Sequence, residues 1–148
     1  MAYPDSNTRQ FAADEGDAQH RRSLYTFWKR TAPPPNMVLF DAPTRETCAV
    51  RRPRTNTPLQ MLVLLNDPQF VEAARALAER AIIDAESDAP ADWIIRGFRL
   101  VLSRPPTDAE LDTLVGLYTT ERERFEHRAD DAAALLEVGA HRIADGLD

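Results

Sequence analysis

Apolar residues change their spacing part-way along the chain. Before Thr57 they come in two short, dense runs, one inside residues 22–29 (RSLYTFWK) and one at residues 37–40 (MVLF); from Thr57 onward they recur every three or four residues. Runs rich in β-branched and aromatic residues predict short extended segments. Pro33-Pro34-Pro35 imposes polyproline-like geometry between them, and Asp41-Ala42-Pro43 closes the second. Two such pieces are long enough to pair as a hairpin, an arrangement that is marginal without further packing.

The stretch 51–68, RRPRTNTPLQMLVLLNDP, organises the remainder. Thr57 is placed to cap a helix by accepting the N–H of the third helical residue. Pro58 suits the first helical position, where its missing donor costs nothing, and Gln60 can reach back to the cap. The body of this helix, residues 61–65 (MLVLL), is apolar on every side, which predicts burial all round. The restriction that Pro68 places on Asp67 ends it, and a second helix follows over residues 68–84. There Phe70, Val71, Ala74, Leu77, Ala78 and Ile82 form the buried face, with Glu72, Arg75, Glu79 and Arg80 on the wet one.

After a polar loop at 86–89, Pro90 starts a helix through Leu102. Its apolar stripe is Trp93, Ile94, Gly97, Phe98, Val101 and Leu102, with Gly97 the point where another helix can come close. Thr107-Asp108-Ala109-Glu110 is a second capping box, opening a helix to about Phe125 over Leu111, Leu114, Val115, Leu117 and Tyr118. Asp130 and Asp131 lead a last short helix ending near Gly139. The expected fold class is mainly α: four to five helices packed as an irregular bundle, with an extended, short-stranded, basic N-terminal third. By region, residues 1–20 read as polar coil, 21–56 as an extended basic and aromatic segment, 57–140 as the helical part and 141–148 as a tail.

With 148 residues and 43% hydrophobic content, the chain is long enough for one domain and a moderate core. The net charge of -6 argues against general nucleic-acid binding, yet the charge is unevenly placed. Residues 21–54 hold Arg21, Arg22, Lys29, Arg30, Arg45, Arg51, Arg52 and Arg54 against only Asp41 and Glu46. The rest of the chain is correspondingly acidic. Cys48 is the single cysteine, so no internal disulfide can form. No apolar run reaches the length of a membrane span, and the first 20 residues lack the basic and apolar regions of a signal peptide. As written, the chain is expected to stay in the cytoplasm.

Two groups of residues suggest binding. Arg51, Arg52, Arg54, Asn56 and Gln60 surround a helix N-terminus, where orphan N–H groups favour an anion such as a sulfate, phosphate or sugar carboxylate. The plainer reading is that they pair with acidic residues and hold the extended segment on the helices. Tyr25, Phe27 and Trp28, flanked by Arg21, Arg22, Lys29 and Arg30, resemble a stacking face for sugars or single-stranded nucleic acid. Aromatic residues more often fill cores, and the acidity of the chain weighs against a nucleic-acid partner. His20, His127 and His141 are isolated, and His127 with Asp130 and Asp131 makes a poor metal set, better read as surface charge. Cys48 lacks a neighbouring His and reads as a small buried residue. Ser23, Ser87 and Ser103 have no nucleophile context. No catalytic constellation emerges, which leans away from an enzyme for this chain alone.

Three long strings carry a resemblance: SNTRQFAADEGDAQHRRSLYTFWKRTAPPP, FDAPTRETCAVRRPRTNTPLQMLVLLNDPQFVEAARALAER and FRLVLSRPPTDAEL. Over residues 3–139 the chain resembles the C-terminal half of the domain of unknown function 1553, planctomycete-specific domain 1. The resemblance implies relatives that are large, extracytoplasmic, multidomain proteins with a secretion signal, often a cytochrome-c-like module, and a domain of unknown function 1549. Haem would then belong to that separate module, since no C-x-x-C-H is present here and no cofactor is expected in this chain. It also implies that Met1 is an internal start in a truncated chain, whose natural partner is the upstream half of its own domain. A structural or ligand-binding role, with an anionic polysaccharide as candidate ligand, is the leading expectation. The rivals are part of an enzyme completed by that upstream half, and a truncated product without function.

Overall fold

In the computed structural model, residues 16, 18, 22–28 and 32–142 are described. The polar coil expected over residues 1–20, most of the tail, and His20, Arg21, Lys29 and Arg30 lie outside or largely outside them. The described residues hold six α-helices: α1 (Pro35–Leu39), α2 (Pro58–Asn66), α3 (Pro68–Ile83), α4 (Pro90–Leu102), α5 (Asp108–Glu126) and α6 (Ala129–Leu136). The described residues form no sheet, and the chain is mainly α. It divides into two compact units, Met1–Asp67 and Pro68–Asp148.

In the first unit the residues expected to be extended are not strands. Residues 22–28 contain a short 3-10 turn at Ser23–Tyr25, and the run at 37–40 falls in α1 and its C-cap. The prolines explain the second difference. A φ fixed near −65° suits the first turn of a helix as well as polyproline geometry, and Pro35 opens α1 with Pro34 as its N-cap. Asn36 Oδ1 accepts the Met37 N–H at 2.8 Å, supplying a local partner that an extended chain would lack. The helix ends where Asp41 takes a left-handed φ of 57°. α1 packs on α2. The latter is opened by the anticipated capping box, with Thr57 and Gln60 bonded reciprocally. Its apolar body is not buried all round: Leu59, Met61, Leu62, Leu64 and Leu65 are 47–68% exposed.

In the second unit each helix packs on the next: α3 on α4, α4 on α5, α5 on α6. α3 meets α4 at Ala81, a buried apolar residue, opposite Gly97. A Cβ built on Gly97 would lie 3.6 Å from that of Ala81, an ordinary van der Waals contact, so the close approach leaves room for a methyl. Asp84 ties the end of α3 to α4 by accepting from Arg96 at 2.9 Å and Arg80 at 3.4 Å. The Arg96 hydrogen bond is the main reason its carboxyl sits below the usual range. Trp93 on α4 meets Tyr118 on α5 edge-on, with ring centroids 6.3 Å apart.

The polarity of α3 differs from the sequence expectation. Glu72 and Glu79, assigned to the wet face, are buried, as is most of the Arg75 side chain, whereas Ala74 and Ala78 are exposed. The reason is that residues 136–141 lie across this stripe and supply most of the hydrogen bonds its charges need.

Arg104 joins α4 to α5. Its guanidinium lies 5.0 Å from the Phe98 ring centroid and donates two bonds to the Glu110 carboxylate, at 2.9 and 2.7 Å. Glu110 also accepts the Thr107 N–H at 2.8 Å, completing the second capping box. Arg104 first, then Thr107, lower the Glu110 pKa from 4.5 to about 2. A carboxyl depressed on folding stabilises above its unfolded pKa, and that contribution disappears as pH falls through the folded value. The α5 N-terminus should therefore lose protection between about pH 4.5 and about pH 2, with the Glu110 carboxyl resonance titrating near the lower limit. Glu110→Gln keeps a side chain able to cap but should remove this acid step. A Glu110 midpoint near 4.5 by NMR would contradict the Arg104 pairing.

Candidate functional site

The first site grows from the junction between α1 and α2. Gln60, 8% exposed, serves three chain segments at once. Its Nε2 donates to the Leu39 carbonyl at 2.7 Å and to Thr55 Oγ1 at 3.0 Å, while Oε1 accepts the Thr57 N–H at 3.2 Å. Beside it the Asp41 carboxylate accepts from Thr55, through the backbone N–H at 2.7 Å and the hydroxyl at 2.9 Å. Arg52 closes the loop with Nε on the Asp41 carbonyl and a terminal nitrogen on that of Phe40, at 3.3 and 3.2 Å. This polar junction holds residues 52–57 against the end of α1.

Two of the five residues singled out around the helix start, Arg52 and Gln60, are thus engaged by main-chain carbonyls. Arg51, Arg54 and Asn56 are exposed, and the two arginines make no ion pair among the described residues. On the aromatic segment, Tyr25 and Phe27 are 63% and 48% exposed, and Trp28 is half-buried. The Arg22 guanidinium stands 5.8 Å from the Tyr25 ring centroid, and Arg45 stands 5.1 Å from that of Trp28. Arg45 also donates to the Ser23 carbonyl at 3.4 Å. The cations beside the aromatics therefore include Arg45, far away in sequence. Cys48, expected to be buried, is exposed, because residues 44–56 run over the surface without regular structure.

The second unit holds an open groove of about 460 Å³ between α3, α4 and α5. Leu77, Ile94, Phe98, Val101, Leu114 and Leu117 line it, with Glu121 at its polar margin. Val101 and Leu117 are 61% and 57% exposed. Among the described residues no group of three His, Cys, Asp or Glu is arranged to hold a metal, and no helix is long and apolar enough to cross a membrane.

Sequence reasoning missed the charged stripe on α3. Glu72, Arg75 and Glu79 recur at three- and four-residue spacing, which puts them on one face. His141, read as isolated, has its Nε2 3.2 Å from Glu79 Oε2. The available signal was Gly139 just beyond a helical pattern, since a left-handed residue there turns the chain back.

With this geometry in view, the family comparison is decisive for kinship. The model of PSD1, a protein of unknown function (DUF1553), matches residues 1–118. The chain belongs to that family. The match includes both units' leading helices and ends within α5, short of the expected limit at Gly139. No curated protein and no solved structure matches the chain. PSD1 membership therefore brings kinship without an assigned activity.

The polar junction should be structural. Gln60→Leu strands the Leu39 carbonyl and the Thr57 N–H and should cost about 1–3 kcal/mol. Arg54→Ala, at an exposed site, should change stability by less than about 0.5 kcal/mol. Amide exchange over α2 reads both; equal effects would refute the assignment of Gln60 as the linchpin.

Proposed function

We propose that the chain is a non-catalytic binding and scaffolding module, and that α2 is the element by which it docks on another protein surface. One observation carries this reading. α2 is firmly defined at its N-terminus by the Thr57–Gln60 box, yet all five of Leu59, Met61, Leu62, Leu64 and Leu65 stand about half or more exposed. A well-formed helix with an uncovered apolar surface is characteristic of an element that packs on a partner. The cover suggested by the family resemblance is a further part of the same multidomain protein. An extracytoplasmic setting, which the resemblance also implies, suits a second ligand, an anionic polysaccharide. The exposed Arg51 and Arg54, without ion-pair partners among the described residues, favour it.

The two readings separate experimentally. If α2 is a docking helix, the isolated chain should self-associate with rising concentration and bind a hydrophobic dye. Leu62→Asp with Leu65→Asp should reduce both several-fold while leaving helicity unchanged. A sharp, concentration-independent melt with no dye binding would sink the docking reading. For the polysaccharide, wild-type chain should be retained on a sulfated glycan in a salt-dependent manner, with retention falling several-fold in the Arg51→Ala, Arg54→Ala double variant. Absence of salt-sensitive retention, or retention indifferent to those arginines, would remove that ligand.

A further inference from the structure

Charged residues on a helix are usually left in water, and their burial on α3 demands specific partners. Glu72 is 4% exposed and Glu79 8%, and the Arg75 side chain is 9% exposed. The partners come from residues 136–141, and nearly all of them are main chain. One oxygen of the Glu72 carboxylate accepts two successive N–H groups, of Ala140 at 3.2 Å and His141 at 2.6 Å. The Arg75 guanidinium donates to two carbonyls, of Leu136 and His141. The one side-chain contact is His141 Nε2 with Glu79 Oε2, at 3.2 Å.

A carboxylate for consecutive N–H groups and a guanidinium for two carbonyls together read the shape of a turn rather than its side chains. One residue type is nevertheless demanded. Gly139 has φ of 92°, and a Cβ there would fall 2.8 Å from the Glu72 Cβ and still closer to its carboxyl. The occupant must carry glycine at the bend.

The latched state is also imperfect. Arg75 Nε and Glu79 Oε1 are buried without a hydrogen-bond partner among the described residues, and at 3.7 Å from each other they exceed hydrogen-bond reach. Both side chains contact His141, so release of the segment frees them to seek new partners, a gain that offsets part of the cost of breaking its hydrogen bonds to α3. The three α3 residues lie inside the PSD1 match, while the segment that covers them lies outside it. That division suits a site that selects a partner by backbone shape.

We propose that Glu72, Arg75 and Glu79 form a main-chain clamp for a glycine-containing polypeptide turn, filled in this chain by residues 136–141 as a releasable strap. The inference stands apart from the docking of α2. Hydrogen exchange on the full chain tests it. The Ala140 and His141 amides should exchange about tenfold more slowly in the wild type than in Glu72→Gln, matching the loss of one charge-assisted contact. Gly139→Ala should release the strap by the other route, leaving the clamp intact and vacant with the circular dichroism signal of α3 to α5 retained. A synthetic peptide of residues 134–142 should then bind Gly139→Ala at least about fivefold more tightly than wild type, whose clamp is occupied. The same peptide should not bind the Gly139→Ala, Glu72→Gln double variant. Equal exchange of the two amides in wild type and Gly139→Ala would overturn the strap. Peptide affinity indifferent to Glu72, or no peptide binding to Gly139→Ala, would overturn the clamp.

Discussion

The first residue of a helix has no intrahelical use for its N–H, and this chain fills that position with proline repeatedly. α1, α2, α3 and α4 all begin on one: Pro35, Pro58, Pro68 and Pro90. Each fixes φ at a helical value and discourages the residue before it from continuing any earlier helix. Where Pro105 and Pro106 precede a helix without entering it, Thr107 and Glu110 take over through the capping box. Starts set in this way depend little on a deep core. That matters here, because among the described residues buried apolar side chains are sparse and many large ones are exposed. Local backbone constraints define the helices, and polar cross-links such as Gln60, Asp84 and Arg104 define how successive segments meet.

Those cross-links share one design. Each uses a side chain with several hydrogen-bonding atoms to satisfy groups from two segments, so that one residue fixes a junction. Gln60 serves the end of α1 and the start of α2. Asp84 gathers Arg80 and Arg96, and Arg104 lies against Phe98 while holding Glu110. The exposed members contribute modestly to stability because water screens them. The buried charged stripe of α3 differs in kind: removing one partner leaves a desolvated charge, so its contacts are more consequential than their number suggests.

The helices were legible in the sequence because their signals are local. Thr57-Pro58-Leu59-Gln60 and Thr107-Asp108-Ala109-Glu110 state a boundary in four residues, and both boxes are formed. The family was legible from long strings such as that over residues 40–80. What escaped was whatever depended on a distant segment. Residues 37–40 looked extended by composition, but Pro34 and Pro35 suit a helical first turn equally well, and only the junction with Gln60 selects it. Glu72, Arg75 and Glu79 looked wet because periodicity weighs apolar against polar residues and cannot see a strap that arrives more than sixty positions later. The same blindness hid Arg45 beside Trp28. Of the five residues singled out for an anion site, the sequence did not reveal that Gln60 and Arg52 are engaged by carbonyls.

The surfaces left open differ in what they can do. The open groove of the second unit is lined chiefly by aliphatic and aromatic side chains, and the uncovered part of α2 carries no charged residue at all. Such surfaces gain free energy by losing water to another apolar surface. Of the arginines at residues 45–54, Arg45 and Arg52 are engaged within the chain, while Arg51 and Arg54 stand exposed. On the proposed reading the patches divide the work by their physical character: apolar helix faces to pack against protein, exposed guanidinium groups to select negative charge, and a charged clamp on α3 to read backbone.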